Sequence, residues 1–539
     1  MFGQPLPGTT RAPLVATLAA LATAAVVLFV LPPGGDLAAH LYQRGFFIKN
    51  GFAFWNNYWY AGRYSFVTYS IGFYPLAALL GIKVVSLAAV AASTTVFAVV
   101  IARQWGEAAR WPTRAFAVVW PLILISGELP FLVGMTFAIS AILAVQARRF
   151  WLFTVLVLAT LLMSPLALLF LGLFAGGAAI ASRDRWRHVA RFGIPLALCA
   201  GIEGLLGLLF PSSGRFPFSV VELLPVVAFC AVGLAATWKL ERGRPLAGFF
   251  GLYLVANLVS FAIPSALGEN VGRLRYLALP VALLVCALRL WRPRGLTVLA
   301  LTLVACWNLT PLAWSLDHNV SDPTSRPQFW AATVTALRSR LTPDYRVEVV
   351  DTAGHWGAFY LARAGIPLAR GWYRQDDFPQ NSILYGPLTP HAYLHWLRHT
   401  AVRYVVLTDA PSDYSAQRES ALIRAHPHLL RQVVRLPGTT IFEVAHPTPL
   451  IRGSGPAHVV SLGPTRALFT VSAKGTYHVA IRYSPYWRAR PGCVGETRDG
   501  DVQLTALAPG TIELEFQLGL QQFLDALNKS GGTRCSGPG

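Results

Sequence analysis

Apolar runs of near 20 residues recur from the N-terminus to about residue 316, and nothing else in the sequence limits the fold so strongly. Each run is long enough to cross the roughly 30 Å hydrocarbon core of a bilayer as a helix. Only 13% of the chain is charged, against roughly a quarter in soluble proteins. The sequence therefore predicts a polytopic α-helical membrane protein. Residues 14–31 could pass for the apolar part of a leader. The residues directly before the break at Pro32-Pro33, 26–31, hold no A-x-A-type site, so the reading is an uncleaved first span.

The formal charge of +20 raises the question of nucleic acid, and its distribution answers against it. Residues 1–316 hold 23 Lys+Arg against 8 Asp+Glu, and most of that excess lies in short loops between spans. Cytoplasmic retention of basic loops explains this pattern. Six segments are placed inside: Arg11, 103–114, Arg148-Arg149, 182–191, 238–244 and 289–295. Alternating between them predicts about eleven spans: 12–31, 84–102, 115–127, 130–147, 150–163, 166–181, 190–210, 221–237, 246–264, 274–290 and 296–315. The N-terminus is then cytoplasmic and the C-terminal region extracytoplasmic. Segments 150–163 and 166–181 are separated at Ser164-Pro165, where proline interrupts the helix and Arg clusters flank both ends.

The predicted organisation is a multi-spanning domain over 1–316 with a long first outer loop at 32–83, an α/β domain over 317–429 and a β-sandwich over 430–539. Within the loop, "DLAAHLYQRGFF" reads as an interfacial helix, with Leu37, Leu41 and Tyr42 opposite Asp36, His40, Gln43 and Arg44. "FAFWNNYWYAG" has the aromatic density of a headgroup belt. Helix, turn and strand patterns repeat over 326–425, and short alternating strands follow from about 430, beginning with "RQVVRLP-GTTIFEVA". Cys493 and Cys535 can form a disulfide if that region faces an oxidising compartment; two free thiols are the alternative. No metal-ligand spacing such as C-x-x-C or H-E-x-x-H is present.

Acids are scarce in the spanning half. Glu203 lies within a span, where a protonated, packed side chain is the plainer reading. Asp36 follows Pro32, Pro33, Gly34 and Gly35 at the membrane boundary and opens a helix, so a helix cap is its simplest role. His40 and Arg44, spaced four apart behind it, ask for more than a cap. "GELPFLVGM" carries Glu128 in a tight hinge, and "GENVGRLRY" brings Glu269, Asn270, Arg273 and Arg275 to the start of a span. Guanidiniums there oppose the positive-inside trend and suit a phosphate ligand; snorkelling to headgroups is the alternative. Farther on, "GWYRQDDFPQN" offers Trp372, Asp376 and Asp377, a mixture that suits sugar rings and hydroxyls as well as an ordinary packed loop.

These features together resemble the GT-C glycosyltransferase superfamily: one acid after the first span in "GGDLAAHLYQ", an interfacial helix, many spans and an exported C-terminal region. "GELPFLVGM", "MSPLALLF" and "GENVGRLRY" look like hinges of a bacterial branch of it. The resemblance implies sugar transfer from a polyprenyl-phosphate donor to a cell-envelope glycan or lipid acceptor. It casts Asp36 as base with His40 orienting it. Arg273 would contact the lipid phosphate, with Arg275 or Arg63 as second choices. Glu128, Glu269, Asn270, Trp372, Asp376 and Asp377 would be sugar or acceptor ligands. Leu37 stands where many members carry a second acid, so the residues demand no cofactor and leave a divalent cation open. The rival classes are a transporter and a non-catalytic scaffold presenting the exported region. No internal repeat favours the first, and no P-loop is present for ATP-driven transport.

Overall fold

The computed structural model describes residues 11–182, 189–211, 214–527 and 534–536. The basic loop expected at 182–191 falls largely outside the described residues, as does most of the tail beyond 527. The chain separates into two compact units, one of residues 1–37, 69–205 and 215–320, the other of residues 38–68, 206–214 and 321–539.

The first unit is helical. Among the described residues, eight helical stretches are long and apolar enough to cross a membrane, and Phe150–Met163 and Pro165–Ala181 are two shorter apolar helices. The longest stretch, Ile82–Ser126, is interrupted at Gly106–Ala109. There the chain folds back: Phe97 stacks on Phe116 at 4.0 Å, and Trp120 Nε1 donates to Ser93 Oγ at 2.9 Å. Counting that hairpin as two gives the eleven segments expected, in a multi-pass membrane protein. The helices Phe150–Met163 and Pro165–Ala181 meet at Ser164, whose side chain accepts from Ala167 N and caps the second one. Two boundaries differ from expectation. The segment expected at 274–290 begins as a tighter 3₁₀ turn over Gly268–Leu277, and the last helix runs from Arg294 to Ser321, past the expected 315.

The second unit takes in most of the long first loop. The helix Leu37–Asn50 forms where expected, yet its polar face is not laid toward water. His40 and Gln43 are buried, and Gln43 Oε1 accepts from Ser65 Oγ at 3.0 Å. The aromatic segment is likewise core and not a headgroup belt. Trp55, Trp59 and Tyr60 are buried. Trp59 Nε1 donates to Ala358 O at 3.0 Å and Tyr60 Oη to Tyr373 O at 2.6 Å. Trp59 and Tyr60 thus each bury an apolar body and satisfy the polar tip on a distant carbonyl.

A four-stranded sheet follows in the order Arg346–Val349, Val402–Thr408, Thr439–Glu443, Arg431–Leu436. Its first pair is parallel and the others antiparallel. The hairpin 431–443, expected in the sandwich, therefore completes the α/β layer instead. Two antiparallel sheets of five and four strands make up the remainder, with Val479, Val502 and Leu504 of one and Phe469, Ile512 and Leu514 of the other buried. Cys493 and Cys535 are disulfide-bonded, and the strand Arg534–Ser536 pairs with Gly492–Glu496 through them.

Candidate functional site

In the first unit, three sequence-distant segments meet around Asp36. The Pro-Pro-Gly-Gly turn lies against the hinge that carries Glu128, with Asp36 N donating to Ser126 O at 3.1 Å. Glycine is required on both sides of this contact. A Cβ at Gly34 would come within 2.5 Å of Ile125 O; Gly127 has φ +85°, and its Cβ would stand 3.3 Å from Asp36 Cβ. Asp36 is half-buried and immediately precedes the helix Leu37–Asn50. Glu128 is buried beside it in the hinge, accepting from Tyr276 Oη at 2.9 Å on Oε1. Its Oε2 faces Arg273 Nε at 3.5 Å. That is an ion pair longer than a hydrogen bond. The turn of Asp36 thus meets the hinge of Glu128, and Glu128 in turn meets Arg273, three positions picked out separately in the sequence.

The other candidates have different partners. Arg275 is ion-paired with Glu269, which engages both the second-choice phosphate contact and one expected sugar ligand. Asn270 Nδ2 reaches back to Ala266 O at 3.5 Å. His40 is buried in the second unit. Arg63, also in that unit, is held by Asp376 at 2.6 Å and stacks over Tyr373 at 4.2 Å, so its charge is committed there.

Asp377 departs most from expectation. It is wholly buried and receives Arg370 Nε at 3.0 Å and Nη2 at 2.7 Å, Tyr385 Oη at 2.7 Å and Asn381 Nδ2 at 3.1 Å. Burial alone would raise its carboxyl, but Arg370 and Arg374 hold it below the usual carboxylate range. A carboxylate so fully engaged cannot meet a sugar. Trp372 is half-buried with its ring edge-on to His355 at 5.7 Å.

Around Asp377 lies a charged network that the sequence reading missed. Asp351 follows the strand Arg346–Val349, and Asp413 follows its parallel neighbour Val402–Thr408. Their carboxylates and His355 bring ligand atoms within 4.8 Å of one another, a spacing that could hold a metal ion. Arg374 already serves as the cation at these atoms. It pairs with Asp351, lies 2.9 Å from His355 Nδ1 and 3.6 Å from Asp413 Oδ2. "VVDTAGH", an apolar strand ending in Asp and followed by a small-residue turn to His355, was the available signal.

No protein family and no curated protein matches the chain. Among solved structures it is similar to arabinofuranosyltransferase AftD from Mycobacteria, with 15% identity and a TM-score of 0.47 over 96% of this chain. It is also similar to ArnT from Cupriavidus metallidurans. The apo state gives 13% identity and a TM-score of 0.41; the structure bound to undecaprenyl phosphate gives 14% and 0.39, each over 80% of this chain. The chain spans 41% of the AftD structure and 97% of the apo ArnT structure.

Proposed function

We propose that this chain is a GT-C-type membrane glycosyltransferase. In this reading it moves a sugar from a polyprenyl-phosphate donor to a cell-envelope acceptor on the extracytoplasmic face. The supporting observation is that the Asp36 turn meets the Glu128 hinge, and Glu128 pairs with Arg273, in one unit of spanning helices. A sugar linked to a lipid phosphate carries its own leaving group, so the protein has two tasks. It must take a proton from the acceptor hydroxyl and stabilise the phosphate as its charge develops. Asp36 is the proposed base and Arg273 the proposed phosphate contact. The acceptor oxygen bonds to the anomeric carbon as the bond from that carbon to the phosphate oxygen breaks. The proton passes to Asp36 and the electron pair leaves with the phosphate. The loose 3.5 Å pair with Glu128 would hold Arg273 in place, and its length leaves a phosphate able to compete for the guanidinium.

The test is transfer by the reconstituted full chain from radiolabelled polyprenyl-phosphate mannose, glucose and arabinose, comparing wild type with Arg273→Gln. Loss of the cation lowers transfer by about 10²–10³-fold; undiminished transfer would remove Arg273 from the reaction. Glycan profiling of a deletion strain separates the rival classes: missing sugars accord with a transferase, intact glycans with altered uptake indicate a transporter, and neither change indicates a scaffold.

A further inference from the structure

The second unit contains a cavity of about 530 Å³ to which the transfer chemistry assigns nothing. That lies within the roughly 300–1,000 Å³ of small-molecule sites. Its wall includes the first-loop hairpin with Arg63, the segment with Asp376, Phe378 and Gln380, the end of the five-stranded sheet with Tyr483 and Glu496, the chain at positions 211 and 214, and the helix Leu520–Leu527 with Asp525. We propose that this cavity is a binding site for an uncharged oligosaccharide, a function that stands whether or not the transfer reading holds.

Charge selects the ligand class. The two guanidiniums in the wall are both engaged, Arg63 by Asp376 at 2.6 Å and Arg482 by Asp501 at 3.3 Å. A phosphate or nucleotide would have to displace the half-buried Asp376 carboxylate from Arg63, which leaves that acid largely desolvated and unpaired. A polyhydroxyl ligand has no such cost. It can donate to the exposed carboxylate of Glu496 and exchange hydrogen bonds with the half-buried amide of Gln380. Phe378 and Tyr483, both half-buried, line the wall, and an aromatic ring with its negative face suits the C–H face of a sugar ring. Of the three loop residues expected to bind sugar, Asp376 lines the cavity, while Trp372 and Asp377 do not. If the transfer reading is right, the bound glycan is the acceptor.

The experiment is calorimetric titration of the full chain in detergent with maltohexaose, mannohexaose, xylohexaose and arabinohexaose, with no donor lipid present. At least one binds with Kd of about 1 mM or tighter. Tyr483→Ala and Phe378→Ala each weaken it about fivefold, as does Glu496→Gln, with the thermal midpoint of Glu496→Gln unchanged. Inorganic phosphate does not compete. Absence of binding by all four oligosaccharides, binding that none of the three variants alters, or displacement by phosphate would overturn the proposal. Since donor is absent, failure here and failure of transfer are read separately.

Discussion

Replacing Asp377 by asparagine conserves shape and removes one charge, so it isolates what the carboxylate does. In the folded chain Asp377 accepts from Arg370 twice, from Arg374, from Tyr385 and from Asn381, with none of its surface exposed. The amide of asparagine would turn an N–H₂ group toward some of these donors and leave two buried guanidiniums short of a counter-charge. Breaking one side of a buried ion pair costs about 3–5 kcal/mol. At roughly 3 °C per kcal/mol for a unit of this size, the midpoint falls by about 9–15 °C. The pH dependence adds a second readout. Because the folded carboxyl titrates below its unfolded value, its stabilisation is complete above about pH 3.9 and is lost as pH falls through the folded value. The gap between wild type and variant is therefore full at pH 7 and closes in acid. Scanning calorimetry of the purified full chain at several pH values provides the assay. A midpoint shift below about 2 °C, or a gap that persists in strong acid, would refute the structural role assigned to Asp377.

Glu348 has the opposite sign. Burial, and next to it Glu419, raise its carboxyl well above the usual range, so it favours folding only in acid and opposes it increasingly as pH rises. Glu348→Gln should thus gain on wild type by up to about 1.4 kcal/mol per pH unit above roughly pH 4.3, and a pH-independent midpoint difference would contradict this. The Cys493–Cys535 bond closes 42 residues of sequence, worth about 4 kcal/mol in the chain-entropy estimate. Cys493→Ser should lower the midpoint and make the strand Arg534–Ser536 sensitive to protease; an equal midpoint and an equal cleavage pattern would show that the bond secures nothing.

The spanning half was the most legible in sequence, because a bilayer imposes one length and one polarity on every segment. The Ser164-Pro165 break was readable for the same local reason: a cap and a proline act on their own backbone. What escaped depended on distant partners. Trp59 and Tyr60 have the same composition in a headgroup belt as in a core, and only the carbonyls of Ala358 and Tyr373, some 300 positions away, decide between them. Alternation marked 431–443 as strands without naming the sheet they join. Asp376 and Asp377 are adjacent in sequence and end in opposite surroundings, one lining a cavity and the other sealed among arginines. At the proposed transfer centre, residue type and membrane position singled out Asp36, Glu128 and Arg273, and the glycines Gly34 and Gly127 turned out to be what lets the two acid-bearing turns approach.

The most direct measurement of the proposed transfer chemistry is the single-turnover rate of Asp36→Asn with any polyprenyl-phosphate sugar from which wild type is found to transfer. Asparagine keeps the size of the side chain and cannot take the acceptor's proton. Transfer should fall by about 10²–10⁴-fold while donor affinity changes little. A rate within about twofold of wild type would contradict a carboxylate base at position 36, and with it the assignment of the acceptor's proton to this turn.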